Sequence, residues 1–188
     1  GALVAGDVTI NGVDIGAVAQ DAKLQAAAIT ASSSNVTATA VTSVDTGAFT
    51  AAAGETSGDI YTLTVAGVAI TATSTGAGTI TAAAMDTALA GGTVLADLAT
   101  AGITVSGSFA GGDQTFIDAD GDNIVISETL TGTFGGTNPS VASGAGTNDG
   151  TINSITSTGE GLVIAGATVA SAGLAAATTS STGNTLSV

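Results

Sequence analysis

The chain has 188 residues and a formal net charge of −14, with 15 acidic residues and a single basic residue, Lys23, and it contains no His or Cys. These absences exclude thiolate chemistry, zinc–thiolate sites, disulfides and arginine phosphate clamps, and they leave only carboxylates and Lys23 for acid–base catalysis. The lack of these side chains predicts a protein that is not an enzyme and has no cofactor. Because the negative charge repels nucleic acid and anionic membranes, we also expect no nucleic-acid partner and no membrane partner.

The composition also limits the kind of fold. The hydrophobic fraction is 44%, which is typical of a folded chain, but aromatic residues make up only 3% and charged residues only 9%, against about 25% charged in ordinary soluble domains. Ala, Val, Ile and Leu must therefore fill thin layers. We expect an α+β fold of small mixed or antiparallel β-sheets, each covered by short Ala-rich helices, in two compact subdomains.

The first predicted element lies between Val8 and Ile15, where apolar residues alternate on both sides of Asn11-Gly12. An Asn-Gly pair between such residues favours a β-hairpin with a type I′ turn. One bent strand with a bulge at Gly12 fits the same residues. Both interpretations place strand structure at the start of the chain.

A helix and a strand are predicted next. The residues from Ala17 to Ala31 are rich in Ala, and their propensity rather than their amphipathicity predicts a helix. The polar run Ser32–Asn35 ends it. Residues Val36–Val44 alternate with Thr and Ala, which is typical of a β-strand.

The middle of the chain resembles its beginning. The segment Leu63–Ile70 reads LTVAGVAI, against VTINGVDI at Val8–Ile15, and it predicts strands at Ile60–Val65 and Val68–Thr73 around a turn. Two helices are predicted after it, over residues 81–90 and residues 93–101, each followed by glycine.

Further strands are predicted in the second half. One begins at Ile103. The segments Thr115–Asp118 and Asn123–Leu130 flank the turn residues Ala119–Asp122 and predict a β-hairpin.

The remainder of the chain is predicted to be loop, two strands and a polar exit segment. The Gly- and Thr-rich residues from Thr131 to Gly150 include the single proline and predict a loop. Strands are expected at Thr151–Thr158 and Leu162–Ala165. Residues from Thr178 to Asn184 form the polar exit segment.

The residues from Val8 to Gly16, VTINGVDIG, followed by an Ala-rich segment to Ile29, resemble the hook IN motif of bacterial flagellins. That motif lies in the surface-exposed central region of flagellin and in the filament-capping protein. Thr30 departs from the family, which usually has Asn there. The segments Gly102–Gly107 and Ala119–Ile124 are similar to flagellin central-region sequence, and the final Leu-Ser-Val is similar to the entry into the C-terminal helices of the family.

This resemblance implies a non-catalytic structural protein, the outer domains of an extracellular flagellar filament subunit that serves motility. It implies a proximal outer domain with the IN-like unit over residues 6–57 and 150–180, and a distal outer domain over residues 58–149. The partners would be neighbouring flagellin subunits, bound through terminal helices whose heptads this chain lacks, so we expect the isolated fragment to be monomeric. A segment of a secreted adhesin, surface-layer or filament-cap protein is the alternative.

One motif is similar to a metal site. Asp118, Asp120 and Asp122 match the start of an EF-hand loop, but Asn123 stands where that loop needs Gly, and Thr129 where it needs Glu. A polar hairpin turn is therefore the favoured interpretation, with weak calcium binding as the alternative. We assign no catalytic, cofactor-binding or metal-binding residue.

The charges are expected to affect stability. Lys23 is predicted to pair with Asp21 or a later carboxylate, which leaves the other carboxylates to repel one another. The fold should therefore gain stability when NaCl is added, or on mild acidification towards the sequence pI near 4.1.

Overall fold

The computed structural model of the chain describes residues 1–178 and 184–187. Within these residues, three short α-helices accompany four small β-sheets with antiparallel strand pairs, which confirms the predicted α+β fold. In this part of the chain, no helix has the length and apolar character needed to cross a membrane.

The elements follow one another along the chain in two halves. The first half contains β1 (Thr9–Ile10), β2 (Val13–Asp14), α1 (Ala22–Ser32), β3 (Val36–Asp45), β4 (Phe49–Thr50), β5 (Ile60–Val65), β6 (Val68–Thr73), α2 (Ala82–Ala90) and α3 (Val94–Thr100). The second half contains β7 (Ile103–Ser106), β8 (Thr115–Asp118), β9 (Ile124–Thr131), β10 (Ser140–Val141), β11 (Gly146–Asn148), β12 (Thr151–Ser157), β13 (Val163–Ala165), a 3₁₀ helix (Val169–Ala172), β14 (Ala177–Thr178) and β15 (Asn184–Ser187).

Two compact units divide the chain. Unit 1 contains residues 1–42, residues 119–123 and the described residues from 149 onward, and unit 2 contains residues 43–118 and 124–148. The first boundary therefore falls inside β3, whereas the sequence predicts it at residues 57 and 58, in a stretch rich in turn residues. A strand that continues from one unit into the other leaves no composition change to mark the boundary.

The N-terminal hairpin forms as a type I′ turn predicts. Ile10 pairs with Val13, and the turn residues Asn11 and Gly12 have φ angles of 50° and 82°, the left-handed values that this turn requires. The Asn11 Oδ1 atom accepts a 2.8 Å hydrogen bond from the backbone N–H of Val163. The hairpin interpretation is thus confirmed, and the bent-strand interpretation is wrong.

Helix α1 begins five residues later than the sequence predicts. Asp21 caps it, because its Oδ1 atom accepts a 2.9 Å hydrogen bond from the backbone N–H of Leu24. Before the cap, Val18 forms an isolated β-bridge with Leu3, through hydrogen bonds of 2.7 and 3.0 Å. This long-range pairing holds Val18 extended and overrides the helix propensity of the neighbouring alanines.

The two units repeat one strand arrangement. In unit 1 the sheet order is β2-β1-β13-β14, and in unit 2 it is β6-β5-β9-β11. The turn in unit 2 consists of Ala66 and Gly67, with φ angles of 48° and 84°. The backbone N–H of Ala66 donates to the Val125 carbonyl, and that of Asn11 donates to the Val163 carbonyl. The predicted similarity between the two hairpins is therefore present in three dimensions.

The repeat extends to β13 in unit 1 and β9 in unit 2, which pair with the first strand of each hairpin. Ile164 lies opposite Ile10 in unit 1, as Ile126 lies opposite Val65 in unit 2. Both isoleucines are buried, while the preceding residues are Val163, 38% exposed, and Val125, 50% exposed. The later strand of each sheet thus has the same inward and outward pattern.

Each unit has its own hydrophobic core. The core of unit 1 is aliphatic, with Ile10, Ile29 and Ile155 fully buried. The core of unit 2 contains a series of four aromatic rings in contact, Tyr61, Phe49, Phe109 and Phe116. The centroids of neighbouring rings in this series lie 5.3 to 6.5 Å apart. These aromatic side chains therefore serve as core anchors of unit 2.

The predicted hairpin around residues 119–122 is wrong. Strand β8 pairs with β7, through Ile103 opposite Asp118, while β9 pairs with β5 and β11. The intervening residues 119–123 belong to unit 1. A turn-like sequence between two alternating segments predicted local pairing, but each segment pairs with a strand elsewhere in the chain.

The predicted loop from Thr131 to Gly150 contains the short strands β10 and β11, which pair with β4 and β9. Each has only two or three residues, too few for a recognisable alternation. Of the predicted polar exit segment, residues 179–183 lie outside the described residues.

Candidate functional site

Residues Ala119–Asn123, which we call the acidic segment, are the strongest candidate for a site from the sequence. The structure holds this segment against the start of α1 in unit 1. The Gly121 carbonyl accepts a 3.3 Å hydrogen bond from the backbone N–H of Lys23. The Asn123 Nδ2 atom donates a 2.9 Å hydrogen bond to the Gln20 carbonyl. The segment is therefore anchored at both its middle and its end.

Gly121 brings the acidic segment into close contact with β3. Its φ angle is 84°, and a Cβ atom added to it would lie 2.4 Å from the Cβ atom of Ala40. Gly150 packs in the same place, because a Cβ atom there would lie 2.3 Å from the Thr42 Oγ1 atom and 2.8 Å from the Gly121 carbonyl oxygen. Gly121 and Gly150 thus allow these segments to pack so closely that any larger residue at either position would force the neighbouring atoms to move.

The charges of the acidic segment face Lys23. The Lys23 Nζ atom lies 2.7 Å from Asp122 Oδ2 and 3.5 Å from Asp120 Oδ2. The hydrogen bond to Asp122, together with the nearby charge of Asp120, holds the pKa of Lys23 above its usual value. Pairing with a later carboxylate is thereby confirmed, whereas Asp21 caps α1 instead.

The third aspartate of the motif lies at the end of a strand. Asp118 is the last residue of β8, it is buried, and it belongs to unit 2. Among residues 1–178 and 184–187, no group of three or more His, Cys, Asp or Glu side chains is arranged to hold a metal ion. The D-x-D-x-D spacing therefore does not become a ligand cluster, and the lysine that pairs with its last two members would compete with any cation.

We expect calcium to bind no more tightly than the millimolar range. The reason is that Lys23 already neutralises part of the charge that would attract the ion. Isothermal titration with CaCl₂ measures the affinity. The matched variants are Asp120→Ala and Glu160→Gln, which remove one carboxylate inside and one outside the acidic segment. Micromolar binding that Asp120→Ala abolishes and Glu160→Gln preserves would refute this expectation.

Two buried carboxylates in unit 2 were not singled out from the sequence. Asp59 accepts hydrogen bonds of 2.7 Å from the Thr56 N–H and 3.1 Å from the Thr133 N–H. These backbone hydrogen bonds, the one from Thr56 first, outweigh burial and lower the pKa of Asp59. The surrounding turn residues, E-T-S-G-D, are the only sequence signal, and they predict a turn without predicting that its carboxylates are buried.

Glu55 is the second of these carboxylates. It is only 2% exposed, and its Oε1 atom accepts hydrogen bonds of 2.7 Å from Thr79 N–H and 3.3 Å from Ile80 N–H. Burial acts to raise the pKa of Glu55, but the combined backbone hydrogen bonds lower it below its usual value. Both carboxylates fasten loops of unit 2, which is a structural role.

One polar pair lies within the core of unit 2. The Tyr61 hydroxyl donates a 2.6 Å hydrogen bond to Glu128 Oε1, which also accepts a 2.8 Å hydrogen bond from the Val141 N–H. Burial, followed by the hydrogen bond to Glu128, raises the pKa of Tyr61 well above its usual value. The tyrosine is thus held neutral, and the pair satisfies buried polar groups.

The cavity beside Lys23 offers little chemistry. It measures about 330 Å³ and is lined mainly by alanines, with Lys23, Asp120 and Thr39 as its polar residues. The two charged side chains pair with each other, and the Thr39 hydroxyl lies 2.8 Å from that of Ser154. A nucleophile needs an adjacent base, and the groups that line this cavity do not supply that arrangement.

Comparison with known proteins does not assign the chain to a family. No protein-family model matches it, and the search of curated proteins gives no match.

Proposed function

We propose that the chain forms the surface-exposed outer domains of a bacterial flagellar filament subunit, with a structural and non-catalytic role in motility outside the cell. The observation that carries this proposal is the hairpin, helix and strand formed by β1, β2, α1 and β3. The hairpin and the helix contain the residues whose sequence resembles the hook IN motif, and β3 follows them. The type I′ turn at Asn11-Gly12 gives that motif a physical basis.

The nesting of the two units supports the same proposal. The chain leaves unit 1 at residue 42, forms unit 2 and returns to unit 1 at residue 149, with one earlier return over residues 119–123. The resemblance implies a distal outer domain inserted into a proximal one. In this proposal, unit 1 is the proximal domain and unit 2 the distal domain.

The surface chemistry also suits an exposed, non-catalytic role. Hydroxyl side chains cover exposed strand faces and bond to one another, as Thr62 does with Thr71 at 3.2 Å. The carboxylates add a strong negative charge, which would keep neighbouring filaments apart. Neighbouring subunits would bind through terminal helices that lie outside this sequence.

A chimeric filament tests the proposed function. The chain is inserted between the terminal helices of a polymerising flagellin, and the product is imaged by electron microscopy. We expect filaments that carry two additional densities per subunit on the outer surface, because units 1 and 2 have separate cores and need no contact with the filament core.

The same flagellin helices joined by a short linker serve as the control. If the control polymerises and the chimera, shown to be folded by circular dichroism, does not, the proposed position in a filament is refuted. The alternative of an adhesin segment predicts instead that the purified chain binds host cells or glycans. Saturable binding of this kind, together with failure of the chimera, would favour the adhesin.

A further inference from the structure

Strand β6 forms a free edge of the four-stranded sheet of unit 2. Its six residues make it the longest edge strand in the part of the chain that the structure describes. The sequence Val-Ala-Ile-Thr-Ala-Thr contains no charged residue and no proline. Edge strands usually carry charge, proline or a bulge that prevents pairing with another chain, and β6 has none of these.

The outward backbone groups of β6 belong to Ala69, Thr71 and Thr73. In a two-residue hairpin the residues beside the turn, Val65 and Val68, exchange hydrogen bonds, and the pattern then alternates along the strand. The 2.7 Å hydrogen bond from Ser74 N–H to the Asp59 carbonyl continues that alternation. The three outward residues are exposed, and among the described residues no hydrogen bond satisfies their backbone groups.

The other edges of comparable sheets are short or closed. In unit 1, β2 has two residues, and its Asp14 side chain accepts hydrogen bonds of 2.9 Å from the N–H groups of Gly6 and Gly16. At the opposite edge of the unit 2 sheet, β11 has three residues, and the Asn148 side chain bonds back to the Ile124 carbonyl. Among the edges of the two four-stranded sheets, β6 is therefore the long and open one.

We propose that β6 is an interaction surface for a second copy of this chain, which adds its own β6 antiparallel to the first. A two-fold axis at Thr71 places Thr71 opposite Thr71 and Ala69 opposite Thr73. Each of these pairs exchanges two backbone hydrogen bonds, and the inward-facing Ile70 lies opposite Ala72. The register is self-complementary, as a symmetric dimer requires, and β6 contributes no charged side chain to the pairing.

The net charge makes this pairing dependent on salt. Two copies with a charge of −14 each repel one another, over a Debye length of about 30 Å at 0.01 M salt and about 3 Å at 1 M. At low ionic strength this repulsion keeps the chain monomeric, the state that its lack of heptads also predicts, and at high ionic strength the pairing of β6 prevails. This inference does not depend on the flagellar role.

Sedimentation equilibrium of the full chain in 0.01 M and 1 M NaCl, at protein concentrations up to about 1 mM, tests the proposal. The mass should rise from 17.4 kDa towards twice that value as salt increases. In Thr71→Lys, two like charges lie directly opposite each other, so the dimer should be weaker than that of the wild type at the same NaCl concentration, although the variant is less negative overall. Thr129→Lys makes the same charge change on the central strand β9 and should dimerise like the wild type.

Amide hydrogen exchange identifies the surface directly. The amides of Ala69, Thr71 and Thr73 should exchange quickly at low salt and slowly in the dimer, while those of Ile70 and Ala72 are protected in both. If Thr71→Lys fails to fold, Thr71→Pro is the second variant. It removes the outward N–H of residue 71, which donates a hydrogen bond across the two-fold axis, and it should remain monomeric. The proposal is overturned if the wild type stays monomeric in 1 M NaCl. It is also overturned if the dimer is unaffected by both Thr71 variants, or if Thr129→Lys weakens the dimer as much as they do.

Discussion

Gly121→Ala is expected to destabilise unit 1 by about 3 kcal/mol, because it combines a forced close contact with left-handed backbone strain. The added Cβ atom would lie 2.4 Å from the Ala40 Cβ atom, at a φ angle of 84°. The acidic segment or β3 must then shift. Urea unfolding followed by far-ultraviolet circular dichroism measures the loss. Fluorescence of Tyr61, the single tyrosine and a core residue of unit 2, reports on the other unit.

Gly12→Ala is the matched control for this prediction. Gly12 has a φ angle of 82°, but a Cβ atom added there meets no atom within 4 Å. Only the backbone strain then applies, so we expect a loss of about 1 kcal/mol. Both variants lie in unit 1 and change the unfolded chain equally, so their difference measures the close packing. Equal losses in the two variants would show that the acidic segment is not packed tightly against β3.

Local turn chemistry explains which elements the sequence predicted well. Strands β5 and β6 have the predicted bounds because Ala66-Gly67 fixes the hairpin through neighbouring residues alone. Helix α1 begins later than predicted because Val18 pairs with Leu3. Propensity acts over a few residues and contains no information about that distant partner.

At the candidate site, too, the local sequence contains no information about distant partners. The spacing of Asp118, Asp120 and Asp122 predicted neighbouring side chains, because it assumed that the three residues lie in one loop. The structure instead buries Asp118 at the end of β8 and pairs Asp122 with Lys23, 99 residues away in the sequence. The departures at Asn123 and Thr129 argue against an EF-hand loop, but only the fold could show that Asp122 pairs with Lys23.

The second large effect is the response to salt. At pH 7, raising NaCl from 0.01 M to 1 M should raise Tm, because Lys23 is the single basic side chain for 15 carboxylates. For a chain of this size, a relief of about 2 kcal/mol raises Tm by about 4–8 °C. Melts followed by circular dichroism measure it, at a low protein concentration at which association is negligible.

Glu160→Gln is the control for the salt response. Glu160 is exposed, and its side chain makes no hydrogen bond or ion pair among the described residues. Its removal lowers the repulsion without removing a contact, so Tm should rise slightly at 0.01 M NaCl and the salt dependence should weaken. A wild-type Tm that stays constant or falls as NaCl rises would contradict the repulsion argument.

Acidification acts in the opposite direction from salt once the hydrogen-bonded carboxylates titrate. Asp7 is one of these, because it accepts hydrogen bonds from the Thr168 hydroxyl and the Val4 N–H. Asp7, Glu55 and Asp59 have lowered pKa values in the folded chain, against ordinary values of 3.8, 4.5 and 3.8. The unfolded chain therefore takes up protons first as pH falls. The stability that these groups supply is present above their ordinary pKa values and is lost as pH falls through the folded ones.

Stability should therefore fall below about pH 4.5, although the composition alone predicts a gain towards the pI. This loss of stability arises because protonation weakens the hydrogen bonds that Asp59 and Glu55 accept. Their donors are Thr56, Thr133 and the residues around Thr79. Asp59→Asn should lower Tm at pH 7 and flatten the decline between pH 4.5 and pH 3, whereas Glu160→Gln should leave the decline unchanged. A Tm that keeps rising down to pH 3 would show that relief of repulsion outweighs these buried contacts.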